Sequence, residues 1–348
     1  MMIREAIAHI ASGATLNTEE AAAAMEEIMN GTATPSQIGA FLTALRLRPG
    51  GETVEEIAGL AQVMRDKAVQ VQLNEQTSGR AMDTCGTGGD GSGTLNISTA
   101  AGIIAAAAGA TVAKHGNRSA TSKCGSADVL EALGVKIDLG PEALARSVQE
   151  CGFGFMFAQT YHPAMKYVGP TRREIGIRTV FNILGPLTNP AHTPYQVLGV
   201  ANDSLMQKMG EVLLHLGCKH ALIVHSEDGL DECSLSAPTH ICEVRAGQEM
   251  RTYTITPEEV GLTRITDRQH FQGGDPNHNA AILRDILSTY QATPATDMIC
   301  LNAAAALMAN EQVSSFKEGI RLARATLQEG KAKRKLAEVI ECSQAYGR

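Results

Sequence analysis

No stretch of this chain approaches the roughly 18 consecutive apolar residues that a membrane-spanning helix needs, so no transmembrane helix is expected. The eight cysteines are scattered, and no Cys-x-x-Cys pair occurs. That spacing argues against a zinc site and against a secreted disulfide framework, and a reducing cytoplasm is the simplest home. Residues Met1 to Ile7 lack the charged-then-apolar layout of a signal peptide. Fixed-period repeats and low-complexity tracts are missing as well, which removes solenoid and linker-like readings. Excess positive charge is also lacking: the formal net charge is −7, which weighs against a nucleic-acid binder. What remains is an ordinary soluble globular composition, 44% hydrophobic and 19% charged. Its 348 residues suffice for one large domain plus a small one.

Residues 1 to about 70 read as helices. Asn17 to Glu20 has the pattern of a capped start, with a stop at Asn30 and Gly31. Thr34, Pro35 and Gln37 place a cap, a proline at the first helical position and a capping-box glutamine, and Thr53 to Glu56 repeats the box. From about residue 80, short β-branched or apolar runs alternate with helical patterns. The runs are 81–84, 111–113, 153–157, 196–200 and 221–225, and the helical stretches include 127–133, 141–150 and 204–216. Such alternation predicts an α/β domain around a mostly parallel sheet. A polar, helix-like segment from Tyr161 to Gly176 interrupts it, and residues 277–345 return to helices.

The richest segment runs from Asp83 to Thr99. Gly86, Gly88, Gly89, Gly91 and Gly93 fall within eight positions, more than a plain strand-to-helix turn needs. The loop follows a strand and opens onto an apolar helix, so free backbone N–H groups and the helix dipole face any anion bound there. Asn96, Ser98 and Thr99 add caps and hydroxyl donors at its mouth. Phosphate, and more specifically pyrophosphate, is the expected ligand. The Gly86–Gly88–Gly91 spacing matches the dinucleotide fingerprint, but the strand at 111–113 leads into Lys114, where that fold needs an acid. The Walker pattern also fails. Asp90 inside the loop would repel phosphate unless it met a sugar hydroxyl or a metal, which suggests a sugar phosphorylated at more than one position. Asp231 and Glu232 follow the strand at 221–225 and stand where Mg²⁺ could be held. Cys85, with no activating base nearby in sequence, reads as small filler.

These segments resemble the anthranilate phosphoribosyltransferase family. The likeness is carried, in order, by Gly86 to Asp90, Asn96 to Thr99, Lys114 to Ser119, His162 to Met165, Arg172 to Glu174, Phe181 to Pro190 and Asp228 to Glu232. It implies a nucleoside phosphorylase/phosphoribosyltransferase-like fold. A small helical domain would span residues 1–72, with a returning segment near 165–187, and a large α/β domain would span 73–348. The implied reaction transfers a phosphoribosyl group from phosphoribosyl diphosphate to anthranilate in tryptophan synthesis. The absence of tryptophan from the chain is compatible with that pathway.

By the same resemblance, phosphoribosyl diphosphate would meet Gly86, Gly89, Asp90, Thr94, Asn96, Ile97, Ser98, Thr99, Lys114, His115, Gly116, Asn117, Arg118, Ser119, Ala120, Thr121, Ser122 and Ser126. Anthranilate would meet Gly86, Asn117, His162, Met165 and Arg172. Ser98, Asp231 and Glu232 would hold Mg²⁺, with two ions per subunit. A homodimer formed through the helical domain and a cytoplasmic enzyme are implied, and association with anthranilate synthase is left open. No nucleic-acid or membrane partner is expected. Two rival readings stand beside this one. A pyrimidine nucleoside phosphorylase shares the architecture, but its loop begins Lys-His-Ser-Thr-Gly-Gly, unlike Asp83 to Gly89 here. A non-enzymatic nucleic-acid-binding relative should be basic and should have lost the metal and anthranilate residues.

Overall fold

The computed structural model describes residues 1–119 and 122–347. Helices Ile3–Ala11, Thr18–Met29, Pro35–Leu47 and Val54–Asp66 open the chain. The capping boxes at Asn17, Thr34 and Thr53 all form, each side chain accepting from the backbone N–H three residues on. The apolar faces of these helices meet in a core with Phe41 and Leu42 at its centre. The same core takes in Val180, Phe181, Leu184 and Leu187 from the later crossing segment, and Leu198, Met209 and Ile223 from the α/β part. The helical layer therefore has no separate interior; one apolar core joins it to one face of the sheet.

That sheet has seven strands: β1 (Ala81–Gly86), β2 (Thr111–Gly116), β3 (Phe153–Phe157), β4 (Tyr195–Gly199), β5 (His220–Ser226), β6 (Thr239–Arg245) and β7 (Arg251–Ile255). Their order is β3-β2-β1-β4-β5-β6-β7. The first five in sequence pair in parallel, with Gly86 beside Gly199 and Lys114 beside Phe155. The last two pair antiparallel. The direction of winding reverses between β1 and β4, and a crevice opens at the carboxyl ends of strands at such a switch point. The opposite face is covered by the apolar helices Ile97–Ala107 and Pro294–Ala309, the latter buried almost all round.

Three expectations need correction. The antiparallel pair β6–β7 was not foreseen, because β7 is a five-residue edge strand in which two apolar positions, Tyr253 and Ile255, give too short an alternation to stand out. Strand β2 runs three residues beyond 113, so Lys114 and His115 are strand residues rather than loop residues. Cys151 and Cys342 form a disulfide between helices Pro141–Cys151 and Lys331–Tyr346, where scattered cysteines predicted none. The 191-residue separation hides that pairing from any local pattern. Among the described residues, no helix is long and apolar enough to cross a membrane.

The helical layer turns on one buried ion pair. Glu56 accepts from Arg48, from Leu16 N–H (2.9 Å) and from Thr53 N–H (2.8 Å), while Arg48 also donates to the Ala14 carbonyl (2.9 Å). Burial pushes the Glu56 carboxyl up, but these donors outweigh it and hold the group below its ordinary value. Its stabilising contribution is therefore present at neutral pH and lost as pH falls through the acid range. Glu56→Ala would leave a buried guanidinium without its counter-charge. The expected loss is about 3–5 kcal/mol at pH 7 in chemical denaturation, shrinking toward pH 3. A loss below about 1 kcal/mol at pH 7 would mean that the pair is solvated and does not organise the layer.

Candidate active site

The crevice at the switch point is a cavity of about 700 Å³. Its floor begins at Lys114. This side chain is buried, and its ammonium passes beneath β1 to the Thr84 carbonyl and lies 3.4 Å from Ser98 Oγ. Beside it, Glu232 accepts from Ser98 N–H (3.2 Å) at the start of the helix Ile97–Ala107. Asp231 accepts from Gly88 N–H (2.8 Å). A Cβ at residue 86 would collide with the Asp231 carboxylate, so glycine is required there for close approach.

Burial, reinforced by Asp90, pushes the Asp231 carboxyl up to about 6. Burial, reinforced by Asp231, raises Glu232 to about 8, against the pull of Lys114. Two half-buried acids that resist ionising together are short of positive charge. Ser98, Asp231 and Glu232 are hard oxygen donors, which suits Mg²⁺. Among the described residues no three His, Cys, Asp or Glu side chains gather tightly enough to hold a metal by themselves. Mg²⁺ commonly completes its shell with water and substrate phosphates.

The opposite wall comes from the crossing segment. Arg172, on the short helix Gly169–Ile175, lies over the Phe181 ring at 5.2 Å. Burial alone lowers its basicity, and among the described residues no carboxylate offsets it. It is a half-buried cation that suits an anion. His115 and His162 stand with ring centroids 5.0 Å apart. His115 Nδ1 faces the Gly185 carbonyl at 3.2 Å, so that nitrogen carries the proton and Nε2 is an acceptor. Both Nε2 atoms are buried without a partner. Burial, then repulsion from His162, lowers His115 to about 3, and burial lowers His162 to about 4.

Every described residue that the sequence suggested for the site lines this one cavity, from Gly86 through Ser126, His162, Met165 and Arg172 to Asp231 and Glu232. Ala120 and Thr121 lie outside the described residues. Three details differ from expectation. Asn96 does not cap its helix; its amide donates to the Cys124 carbonyl (3.1 Å) and accepts from Asn279 (3.0 Å). Arg118 spends its guanidinium on Asp128 and Glu131, both at 2.8 Å, and must exchange them to reach a ligand. Positive φ occurs at Gly88, Gly89, Gly91 and Gly93 but not at Gly86.

The chain matches the model of the glycosyl transferase family a/b domain over residues 78–333, and that of the same family's helical bundle domain over residues 4–68. It is 54% identical over 343 residues to the anthranilate phosphoribosyltransferase of Chloroflexus aggregans, covering 99% of each chain. The chain belongs to the anthranilate phosphoribosyltransferase family. Family members of known structure superpose closely. The Thermus thermophilus enzyme gives a TM-score of 0.90 at 42% identity, over 97% of this chain and 99% of that one. The Saccharomyces cerevisiae enzyme, solved in complex with phosphoribosyl diphosphate and Mg, gives 0.89 at 28% identity, over 99% and 98%. The rival reading as a pyrimidine nucleoside phosphorylase falls away with that membership.

Sequence reasoning missed the segment 271–279, which braces the glycine loop from outside. Leu95 N–H donates to the Phe271 carbonyl (2.9 Å), and Gln272 Nε2 and Gly273 N–H both donate to the Gly93 carbonyl at 2.8 Å. Asn279, fully buried, ties this segment to Asn96. The Asp275–Pro276 cap-and-proline start of the following helix was a readable signal.

The histidine pair carries a pH consequence. Both rings are held far below the ordinary imidazole value, so they stay neutral in the folded protein across the physiological range. The unfolded chain takes up those protons near pH 6.5, so stability falls as pH drops below that point. In a proton NMR titration, neither ring should shift between about pH 5 and 8. A midpoint near 6.5 for either ring would contradict the buried, neutral geometry.

Proposed function

We infer that the cavity transfers the 5-phosphoribosyl group of phosphoribosyl diphosphate to the amine of anthranilate, releasing pyrophosphate, as a step in tryptophan synthesis. One observation carries this reading. A glycine loop above a half-buried Asp231–Glu232 pair and an Arg172 beside apolar and imidazole groups, unpaired among the described residues, line walls of a single cleft. The first wall suits a metal-bound diphosphate, and the second suits an aromatic carboxylate.

Residues 86–99 and 114–126 would cradle the phosphoribosyl diphosphate. Ser98, Asp231 and Glu232 would hold Mg²⁺, two ions in this proposal. When bound, the metal neutralises the charge that grows on the departing pyrophosphate. Arg172 would take the anthranilate carboxylate, leaving the ring against Met165 and Phe181 and near Asn117 and the Gly86 backbone. An aromatic amine is already neutral near pH 7, so no base need deprotonate it before the nitrogen bonds to C1 and the C1–oxygen bond breaks. The free Nε2 acceptors of His115 and His162 suit the two amine N–H groups and would orient the lone pair. Holding amine and C1 in line is then the chain's main contribution.

We further propose a homodimer joined through the helical domain, where Leu47, Tyr167 and Ile177 expose apolar surface on that domain and the crossing segment. A cytoplasmic workplace with no nucleic acid or membrane partner completes the proposal, and association with anthranilate synthase stays open.

The decisive assay is loss of anthranilate fluorescence, which should require both phosphoribosyl diphosphate and Mg²⁺; no loss would sink the reading. Thymidine and uridine should undergo no phosphorolysis. Arg172→Ala should raise KM for anthranilate by about 10- to 150-fold, the cost of one charge-assisted hydrogen bond, while affinity for phosphoribosyl diphosphate stays constant. An equal loss for both substrates would point to a phosphate contact or to misfolding. Glu232→Gln should lower kcat and raise the Mg²⁺ needed for half-maximal rate, with an unchanged melting temperature. Full activity at low Mg²⁺ would remove Glu232 from the metal site.

A further inference from the structure

A loop with four glycines at positive φ loses much conformational entropy when it is ordered, and it needs bonds from outside itself to hold one shape. On one edge, Gly88 N–H meets Asp231. On the other, Arg178 reaches over from the crossing segment. Its Nη1 donates to the Gly89 carbonyl (3.0 Å) and its Nη2 to the Gly88 carbonyl (3.2 Å). Gly89 has φ +77°, which favours glycine, and a Cβ there would push the Arg178 guanidinium off its carbonyls. Resting on the functional reading above, we propose that Arg178 is a positioning residue for phosphoribosyl diphosphate, acting through the backbone of the glycine loop.

Peptide geometry carries the effect of Arg178 to the far side of the loop. In a trans peptide, C=O and N–H point in opposite directions, and among the described residues no peptide is cis. Fixing the carbonyls of Gly88 and Gly89 toward Arg178 therefore turns the N–H groups of Gly89 and Asp90 away from it. Neither N–H has a partner among the described residues. Two adjacent free N–H groups, held parallel by one guanidinium fork, make an anion cradle that the loop could not hold by itself. The fork also makes this job specific to arginine: an ammonium is a point donor and cannot hold two successive carbonyls in register. Arg178 does a second thing by its position. Together with Thr87, Gly89 and Asn182 it lines both the main cleft and a neighbouring cavity of about 420 Å³ against the helical domain, so it partitions the two. The crossing segment thereby touches both substrates' binding walls, Arg172 on one and Arg178 on the other.

The test uses the full chain and two probes, phosphoribosyl diphosphate with Mg²⁺ and inorganic pyrophosphate with Mg²⁺, each titrated calorimetrically. Arg178 is exposed, so Arg178→Ala should leave the melting temperature unchanged. It should weaken both probes by about tenfold, the low end for charge-assisted hydrogen bonds because solvent competes for them. KM for phosphoribosyl diphosphate should rise in step while KM for anthranilate does not move. Arg178→Lys should recover only part of the loss. Wild-type affinity in Arg178→Ala would overturn the proposal, as would full recovery in Arg178→Lys or an equal loss for anthranilate. The pyrophosphate arm keeps the two readings apart: a wild-type chain that binds pyrophosphate but never consumes anthranilate would refute the reaction and still test the loop.

Discussion

A buried ammonium organises this site. Lys114 sits on an interior strand with almost no access to water, and a charge in that position is tolerated only where partners surround it. Its partners are the Thr84 carbonyl, Ser98 Oγ and the nearby charges of Asp83 and Glu232. They lie on three elements besides its own strand, so satisfying one lysine sets β1, β2, the start of the helix Ile97–Ala107 and the Asp231–Glu232 loop in fixed relation. Asp83 carries the arrangement further down. Burial pushes it up to about 6, but it still accepts from His115 N–H (3.2 Å) and from Asn189 (2.8 Å), which anchors the crossing segment to the sheet.

The remaining imbalance faces the cleft. Lys114 offsets part of the acidic charge, and Asp231, Glu232 and Asp90 still repel one another. That excess of negative charge sits under a loop of free N–H groups, two features that attract opposite partners. A metal-bound diphosphate satisfies both at once, which neither free phosphate nor a bare cation does. The far wall has the reverse character: one cation without a carboxylate partner and two neutral imidazoles with free acceptors. The walls belong to different stretches of chain, and buried Arg65 helps to join them, donating to the Leu187 carbonyl (2.6 Å) and to the Leu216 carbonyl (2.8 Å). A reaction that needs two substrates in line depends on that join.

Much of this was legible in the residues. Glycine density at 86–93, the lysine that replaces a dinucleotide acid at 114, the adjacent acids at 231–232 and the capping boxes of the first helices are local patterns with local physics; the boxes form, and the other three line one cleft. The edge strand β7 was not legible, because two of its five residues, Tyr253 and Ile255, face the core and the other three are polar and exposed. The Cys151–Cys342 bridge and the brace at 271–279 were equally hidden, since nothing near either segment in sequence encodes the partner. Arg178 illustrates the limit best. In sequence it is one arginine in a basic stretch with Arg172 and Arg173, and only the fold sets its guanidinium on the carbonyls of Gly88 and Gly89.

The sequence by itself determined the chemistry on offer: a glycine loop at a helix start, an acid pair, a cation in a polar segment, and the alternation that makes a mostly parallel sheet. Those follow from side-chain type and short-range spacing, where backbone geometry leaves few choices. Tertiary structure alone decided which nitrogen of His115 is free, that Asn96 ties segments together instead of capping a helix, that Arg118 is occupied, and that walls from distant stretches of chain line one cleft. Those outcomes depend on burial and on partners brought close by the shared core, and neither is a property of any local stretch of chain.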